Sequence, residues 1–489
     1  MAKPLPTPLR VIAGGATDEG AESLYQSAGK IYPREIKGRF TRMRTAAVFV
    51  LLGIFYLFPW INFDGRQMVL FDLPARKFYV LGLVFWPQDF FYLTALLIIA
   101  ALSLFFFTAL AGRLWCGYAC PQTVWTEVFL WIERWVEGNR NQQIKLDEGP
   151  WTARKWRLKA SKQFLWITFA LWTGFTFIGF FTPIRELGGR LLAFELGGWE
   201  WFWFLFYSLA TYGNAGFLRE QVCKYMCPYA RFQSAMFDRD TLIVSYDTAR
   251  GEPRGARKRS VKAVAERRAL DVAAEAAVGQ PPATSMGDCI DCKACVQVCP
   301  TGIDIRNGLQ YECIGCAACI DACDEVMDKM GYPRGLVLYS TEHAMQGKPV
   351  RVVRKRTVFY ALLLTGIVSA LMYSLATRVP LIVDVIRDRG ALYRETAEGT
   401  IENGYQLKVL NKTESARRYR VEVLAPASLQ LIGVSEIEVP AGAIHNQPLT
   451  LSAPAGAIHG MVPVELRVQA VDDPSVVRLE HSRFFAPGS

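Results

Sequence analysis

Residues 289–300 read CIDCKACVQVCP, and residues 313–323 read CIGCAACIDAC. Each run has the spacing C-x2-C-x2-C-x3-C, so eight of the twelve cysteines lie in two copies of one motif. Bacterial-type ferredoxins use this spacing to bind two 4Fe-4S clusters, and the fourth cysteine of each copy crosses over to the other cluster. The motif therefore predicts one cluster on Cys289, Cys292, Cys295 and Cys323, and a second cluster on Cys313, Cys316, Cys319 and Cys299.

Zinc is the alternative ligand of such cysteines. Zinc also binds C-x2-C pairs, but it takes four ligands and usually draws them from two pairs far apart in the sequence, so the triplets favour iron-sulfur clusters. Negative charge near a cluster disfavours the addition of an electron, and we therefore expect low reduction potentials. The acidic residues among the cysteines are Asp288, Asp291, Glu312, Asp321 and Asp324.

The remainder of the chain predicts a membrane protein. Of its 489 residues, 51% are hydrophobic and 13% aromatic, which is high for a soluble protein. Five apolar runs without Lys, Arg or His approach the roughly 20 residues that a transmembrane helix needs. A bundle of five transmembrane helices is therefore predicted at Thr45–Phe63, Phe90–Ala111, Phe164–Phe181, Trp199–Phe217 and Val358–Ala376.

Basic residues predict the orientation of these helices. They are concentrated before the first run and between the second and third runs, and basic loops stay on the cytoplasmic side. The cysteine motifs should then face the cytoplasm, and the segment after the fifth run should face outward. The net charge of +10 is explained by this distribution along the membrane, which disfavours nucleic acid as a partner.

The other four cysteines form a second constellation. Residues 115–121 read WCGYACP and residues 222–228 read VCKYMCP, which gives two C-x3-C-P motifs at the ends of the second and fourth runs. Each proline should end one helix and begin another, and it places Cys120 and Cys227 near a helix N-terminus that stabilises a thiolate. The four thiols Cys116, Cys120, Cys223 and Cys227 can form one soft site suited to Cu(I), zinc or iron-sulfur chemistry. The alternative is two pairs of small buried residues that end helices.

An amphipathic helix is predicted after the first C-x3-C-P motif. Apolar residues recur at helical spacing, with charged residues on the opposite face, as in a helix that lies on lipid headgroups. We therefore expect a membrane anchor rather than a cofactor site. The apolar stripe is Val124, Trp125, Val128, Phe129, Ile132 and Trp135, and the opposite face carries Glu127, Glu133 and Arg134.

The chain after the fifth run alternates between apolar and polar residues, separated by turn residues, which predicts a small antiparallel β-sandwich. The predicted domain order combines this sandwich with the segments above. It comprises a cytoplasmic and largely disordered tail (1–40), four transmembrane helices with both C-x3-C-P motifs (41–240), a basic linker (241–285), an inserted two-cluster ferredoxin domain (286–345), a fifth transmembrane helix (357–377) and a periplasmic immunoglobulin-like domain (390–489).

Together, the two C-x3-C-P motifs, the paired-cluster segment and the outward sandwich resemble the cytochrome c oxidase accessory proteins known as CcoG, FixG or RdxA. The resemblance runs from about Arg34 to the C-terminus. It implies a multi-pass protein of the bacterial inner membrane that reduces Cu(II) to Cu(I) for assembly of the cbb-type oxidase. It also implies that Cys116, Cys120, Cys223 and Cys227 form or serve the copper site, to which the eight ferredoxin cysteines bring electrons.

The implied partners are a copper ion, a cytosolic electron donor, and an oxidase assembly factor or copper transporter that takes Cu(I). The sequence leaves a homo-oligomer open, and two other functions stay open as well. One is a quinol-linked electron-transfer subunit of a respiratory chain, because related membrane proteins share both cysteine arrangements. The other is a non-enzymatic copper chaperone or scaffold whose clusters are structural.

Overall fold

The computed structural model describes residues 29–63, 65–256, 286–388 and 390–488. The chain divides into two compact units, Met1–Ile367 and Val368–Ser489. Two of the predicted segments fall partly beyond this description. The N-terminal tail lies outside the described residues as far as residue 28, and the basic linker lies outside them from residue 257 to residue 285.

The first unit is mainly helical, and it includes two π-helical segments, Tyr212–Leu218 and Val222–Met226. Within the described residues its helices are α1 (Arg39–Leu57), α2 (Phe90–Ala111), α3 (Leu114–Tyr118), α4 (Pro121–Glu137), α5 (Arg140–Glu148), α6 (Ala153–Ile178), α7 (Ile184–Leu192), α8 (Gly198–Thr211), α9 (Pro228–Met236), α10 (Thr248–Gly251), α11 (Ala294–Gln297), α12 (Ala318–Met330), α13 (Glu342–Met345) and α14 (Lys355–Ala376), which continues into the second unit.

Three of these helices are long and apolar enough to cross a membrane. They correspond to Arg39–Trp60, Pro87–Ala111 and Lys355–Ala376, with mean hydropathies of 1.6, 2.5 and 1.9. Their lengths of 22, 25 and 22 residues match the roughly 20 residues that the hydrocarbon core requires. The chain is a membrane protein by this criterion, and the helices coincide with the first, second and fifth predicted runs.

The prediction of five transmembrane helices is not confirmed, because the described chain holds three that meet the criterion. The third and fourth runs do form helices, α6 and α8. However, α6 contains the buried residues Lys155 and Lys162, and α8 ends after 14 residues where the π-helical backbone begins. The two helices pack closely at Gly174, where a Cβ atom would lie 2.7 Å from the carbonyl oxygen of Phe204.

Short strands complete the first unit. Between α1 and α2 the chain forms two small antiparallel sheets, one of two strands and one of three. A further pair of strands, residues 243–246 and 337–340, flanks the ferredoxin-like segment in the sequence, so part of the predicted linker is a strand. The strands are β1 (Asn62–Phe63) paired with β2 (Arg66–Gln67); β3 (Val69–Asp72), β4 (Lys77–Val80) and β5 (Leu83–Phe85) in one sheet; and β6 (Ile243–Tyr246) paired with β7 (Val337–Ser340).

The expectation of a largely disordered tail is wrong for residues 29–40. The backbone N–H of Arg34 donates to the carbonyl of Gln297 at 2.8 Å. The carboxylate of Asp321 accepts from the N–H and hydroxyl of Thr41 at 2.7 and 2.8 Å. The N-cap residue of α1, Gly38, has no side chain to bind the first N–H groups, so Asp321 of α12 supplies the acceptor and the favourable negative charge.

Helix α4 packs against α6 and its charged face is buried, so the prediction that this face is exposed, as in a headgroup anchor, is wrong. Phe129 is fully buried, and its ring centroid lies 5.2 Å from that of Trp166 on α6. The predicted polar face is also buried, because Glu127, Glu133 and Glu137 are each at most 7% exposed. Trp135, by contrast, is 79% exposed. Cations from neighbouring segments neutralise the three carboxylates, and a sequence pattern does not reveal such partners.

The second unit is a β-sandwich, as predicted. One sheet has the order β12-β14-β10-β8, with β9 on β10, and the other has the order β13-β11-β15-β16. Side chains such as Leu407, Leu451, Leu466 and Phe484 are fully buried in its core. The strands are β8 (Leu381–Arg387), β9 (Arg394–Glu395), β10 (Thr400–Asn411), β11 (Arg417–Ala425), β12 (Gln430–Ile432), β13 (Glu436–Val439), β14 (Ile444–Pro454), β15 (Met461–Ala470) and β16 (Val477–Phe485).

Candidate functional site

The eight ferredoxin-type cysteines line two pockets. We name the cysteines by pocket: the first tetrad is Cys289, Cys292, Cys295 and Cys323, and the second tetrad is Cys299, Cys313, Cys316 and Cys319. All four members of the first tetrad line one pocket. All four members of the second tetrad line another, to which Cys295 also contributes. The structure thus brings together the two sets that the crossover rule predicts.

The chain curls in the same way around each tetrad. In the first copy, Asp291 and Lys293 flank Cys292 with φ angles of 52° and 56°. In the second copy, Gly315 and Ala317 occupy the equivalent positions around Cys316 with φ angles of 65° and 59°. Three of these four residues are not glycine, and the left-handed conformation costs them roughly 1 kcal/mol each. The strain is repeated at matching positions, as expected if it serves to turn three thiols toward one centre.

Burial of these thiols disfavours their ionised form in the absence of metal. Burial raises the pKa of Cys313 to about 12 and that of Cys295 to about 11, with neighbouring cysteines adding to both shifts. Burial likewise raises the pKa of Cys323 to about 12. A buried thiolate needs a nearby positive centre, and metal binding displaces the thiol protons. Four convergent thiols in each apolar pocket therefore fit a 4Fe-4S cluster.

Within the described residues, no group of three or more His, Cys, Asp or Glu side chains is arranged to hold a single metal ion. The ligands of a 4Fe-4S cluster surround four iron atoms rather than one ion, so the tetrads need not converge so tightly. For Cys116, Cys120, Cys223 and Cys227, the finding means that no preformed site with three ligands is present.

The C-x3-C-P motifs lie where the predicted helix breaks fall. Cys116 is on the short helix α3, just after α2 ends at Ala111. Cys120 is the N-cap residue of α4, and Pro121 occupies its first turn. Cys223 lies in the second π-helical segment, and Cys227 is the N-cap residue of α9. Proline fits at these positions because the first N–H groups of a helix have no intrahelical acceptor.

The four C-x3-C-P thiols are electrostatic neighbours. Cys116 interacts with Cys120 and Cys223, and both Cys120 and Cys223 interact with Cys227. The start of α4 favours the Cys120 thiolate, as predicted, but burial outweighs this contribution. Burial raises the pKa of Cys120, although the backbone N–H groups of Thr123 and Gln122 lower it in part. Burial also raises the pKa of Cys116 to about 12 and that of Cys223 to about 11.

The second tetrad packs directly against the C-x3-C-P motifs. Cys116 and Cys223 contact the buried cluster of side chains that contains Cys316 and Ile314. Gly117 makes this approach feasible, because a Cβ atom there would lie 2.9 Å from the Cα atom of Cys316. We call this contact between Gly117 and the Cys316 loop the junction. The first tetrad differs, since its Cys292 is exposed.

Two residues at this site were not found from the sequence. Gln233 of α9 is fully buried, and its side-chain amide lies 3.5 Å from Sγ of Cys116. Gly117 lies inside the first C-x3-C-P motif, but only the packing shows what it contacts. The sequence offers no signal for Gln233, whereas a glycine between two candidate ligands could have suggested a close backbone approach.

The fold and the site define the class of the protein. Two thiol tetrads with ferredoxin geometry, joined to helices that can cross a membrane, characterise a membrane-associated iron-sulfur electron-transfer protein. Three family profiles agree with this class. Residues 218–342 match a 4Fe-4S dicluster domain, residues 93–141 match a 4Fe-4S binding domain, and residues 371–487 match an immunoglobulin-like fold found at the C-terminus of FixG, a putative oxidoreductase.

Three relatives align with most of the chain. Protein RdxB of Cereibacter sphaeroides is 38% identical and aligns with 96% of this chain and 98% of its own length. Protein RdxA of the same organism is 39% identical and aligns with 89% of this chain and 92% of its own length. The nitrogen fixation protein FixG of Rhizobium meliloti is 37% identical and aligns with 84% of this chain and 82% of its own length. The chain therefore belongs to the FixG/RdxA family.

A solved structure covers a small part of the chain. The crystal structure of a FixG-related protein from Vibrio parahaemolyticus aligns with 22% of this chain and 95% of its own, at 29% identity and a TM-score of 0.20.

Proposed function

We propose that this protein is a membrane-bound cupric reductase that supplies Cu(I) for assembly of a cbb-type cytochrome c oxidase. One observation carries the proposal: Cys116 and Cys223 pack against the side-chain cluster that contains Cys316 of the second tetrad. A set of thiols without ferredoxin spacing is thus held beside a set that has it. Soft thiolates bind cuprous better than cupric ion, so they favour the reduced product.

The two tetrads would hold the resident cofactors. When bound, a 4Fe-4S cluster supplies reversible one-electron chemistry. The protein's own contribution is to hold the thiols in apolar pockets and to place the two tetrads in different surroundings. Cys292 brings the first tetrad to the surface, where a cytosolic electron donor can approach it. Cys316 is buried at the junction, beside the copper-binding thiols of this proposal.

The copper step is a one-electron reduction. Cu(II) binds as substrate to a pair of C-x3-C-P thiolates, one electron arrives from the side of the second tetrad, and Cu(I) remains on the thiolates. Without copper, Cys116 and Cys223 stay protonated near neutral pH because their pKa values are raised. Copper binding releases these protons. The S–H bonds of the two binding cysteines are the protein bonds that break, their protons pass to solvent, and the electron comes from the cytosolic donor. An oxidase assembly factor or a copper transporter would then take the Cu(I).

The proposed location is the bacterial inner membrane, with both tetrads cytoplasmic and the C-terminal sandwich periplasmic. Basic residues beside α1 and in the segment before α6 support this orientation through the positive-inside rule. The three apolar helices support membrane insertion. The twelve cysteines all precede α14, as expected for thiols kept on the reducing side.

A second candidate function is electron transfer without copper, as in a quinol-linked respiratory subunit. The match of residues 93–141 to a 4Fe-4S binding domain favours it, because that segment contains Cys116 and Cys120 but neither ferredoxin-type tetrad. On this account the C-x3-C-P thiols bind iron. The iron content then separates the two functions, since eight iron atoms per chain fit two clusters, whereas a higher number, falling in a Cys116→Ala variant, fits a further iron site.

The testing experiment is Cu(II) reduction by purified, anaerobically reconstituted full-length protein, with a Cu(I)-specific chelator as the reporter. Cys116→Ala and Cys223→Ala should lose reduction while keeping the iron content of the wild type. Met461→Ala removes an exposed sulfur from the C-terminal sandwich and serves as the matched control. Unchanged rates in both cysteine variants would reject the copper site. Cu(II) binding without reduction by the wild type would instead support a copper chaperone or scaffold.

A further inference from the structure

Arg113 lies between the second tetrad and the C-x3-C-P cysteines. It is 6% exposed and precedes α3 as its N-cap residue. Nη1 donates to the backbone carbonyls of Tyr311 and Cys313, the latter at 2.7 Å, and Nη2 donates to the carbonyl of Ala230 at 3.3 Å. One guanidinium therefore connects the turn after α2, the loop of the second tetrad and helix α9.

The charge of Arg113 is not neutralised by an ion pair. In the part of the chain that the structure describes, its strongest interactions through space are with the Cys313 and Cys116 thiols, with Glu312 and with Tyr229, and it also interacts with the Cys223 thiol. Burial of a cation without an anionic partner is costly. A 4Fe-4S cluster on four thiolates is anionic and gains negative charge on reduction, so the second tetrad supplies the missing counter-charge when it is loaded.

The other arginines near the tetrads are already paired. Arg306, beside the first tetrad, binds Asp291 at 2.5 Å and Asp304 at 2.6 Å. Arg44, which interacts through space with Cys316, binds Glu127 at 2.9 Å. Their fields at the thiols are therefore partly cancelled by carboxylates in direct contact, whereas Glu312, the carboxylate with the largest effect on Arg113, acts on it through space.

We propose that Arg113 is a positioning residue that raises the reduction potential of the cluster bound by the second tetrad above that of the first, and so directs electrons toward the junction. A fixed positive charge favours the reduced form of a nearby cluster, and net charge and hydrogen bonding are the means by which a protein sets such potentials. The two carbonyl bonds hold the charge in place. The proposal deepens the proposed function, since it explains the direction of electron flow toward copper.

The test is a redox titration of the full-length protein followed by electron paramagnetic resonance. The signal that disappears in Cys313→Ala identifies the cluster of the second tetrad. Arg113→Gln should lower the reduction potential of that cluster, by about tenfold in its one-electron equilibrium, equivalent to 59 mV, and leave the other cluster unchanged. Arg113→Lys keeps the charge and should retain most of the potential.

Further variants sharpen the test. Glu312→Gln removes the opposing charge and should raise the same potential. Where Arg113→Gln fails to retain its clusters, Arg113→Met, which is neutral and of similar length, makes the same comparison of charge. Arg190→Gln is the matched control, because the side-chain hydrogen bonds of Arg190 on α7 go to Glu200 of α8 and to the carbonyl of Glu195. The proposal is overturned if Glu312→Gln leaves the second potential unchanged, or if Arg113→Gln shifts both potentials equally. Failure of the wild type to reduce Cu(II) would reject the proposed function, while the potentials would still decide the role of Arg113.

Discussion

The two tetrads share one sequence motif and one backbone geometry, yet their surroundings differ. The first has an exposed thiol, Cys292, beside arginine and aspartate pairs near the surface. The second is buried against α3, with Cys316 at Gly117 and Arg113 bound to its loop. The motif thus sets the spacing of the ligands, whereas long-range packing sets the surroundings of each tetrad, and the proposed direction of electron flow rests on those surroundings.

The largest expected effect comes from removing one ligand from each tetrad. Cys316→Ala should abolish Cu(II) reduction with any donor, because the second tetrad adjoins the proposed copper thiols. Cys292→Ala should abolish reduction with a protein donor but retain part of it with a small reductant that can reach the second tetrad. Chelator-detected Cu(I) formation with both kinds of donor measures this. Equal loss in the two variants with the small reductant would break the distinction between the tetrads.

Glu133 should contribute more to stability than any exposed ion pair near the first tetrad. It is 1% exposed and binds Lys30 and Arg219, each at 2.8 Å. Breaking a buried ionic group in this way costs about 3–5 kcal/mol, so Glu133→Gln should markedly lower the free energy of unfolding. Asp328→Asn, which breaks the exposed pair between Asp328 of α12 and Arg334, should leave the free energy of unfolding almost unchanged because solvent screens such a pair. Denaturant unfolding of both variants in detergent would show the difference, and similar losses would contradict it.

The same glutamate should make stability depend on acid pH. Burial alone would raise the pKa of Glu133, but Arg219, Lys30 and Lys162 outweigh it and lower the pKa from 4.5 to about 2. A depressed folded-state pKa gives stability that is present above the unfolded pKa and is lost as the pH falls through the folded one. The wild type should therefore lose about 3 kcal/mol between pH 5 and pH 2 from this group. Glu133→Gln should lack that part of the loss, and an identical pH profile would refute the assignment.

A smaller effect is expected from Gly117→Ala at the junction. The added Cβ would meet the backbone of Cys316, and such overpacking costs about 1–3 kcal/mol. Displacing the second tetrad should also slow Cu(II) reduction while the iron content is retained. Gly189→Ala on α7 is the matched control, because a Cβ there meets nothing within 4 Å. Unfolding and reduction assays on the two variants test this, and equal behaviour would mean that the junction tolerates a wider gap.

The sequence predicted the parts of the molecule whose geometry is local. Cysteine spacing identified both tetrads, Pro121 and Pro228 marked the helix starts, and alternation revealed the sandwich. Three of the predicted transmembrane helices agree with the structure, because a long continuous apolar run is recognisable without knowledge of its packing partners. The family resemblance was also confirmed by relatives that align over most of the chain.

The features that the sequence did not reveal depend on distant partners. The carboxylates of α4 looked solvated, but Lys30, Lys162 and Arg219 reach them from three other segments. Phe40 and Thr41, at the end of the tail, are held by Asp321, which is about 280 positions away. The contact of Gly117 with Cys316 likewise follows from tertiary packing, since no periodic pattern in the sequence relates the two residues.

The most direct test of the account is a single-turnover experiment on anaerobic protein with both clusters reduced. Mixing with one equivalent of Cu(II) should oxidise one cluster equivalent and yield one Cu(I), as followed by visible absorption and by a chelator. In a Cys116→Ala, Cys223→Ala double variant the clusters should stay reduced. Cluster oxidation by copper at the wild-type rate in that variant would contradict the claim that electrons leave the second tetrad through these thiols.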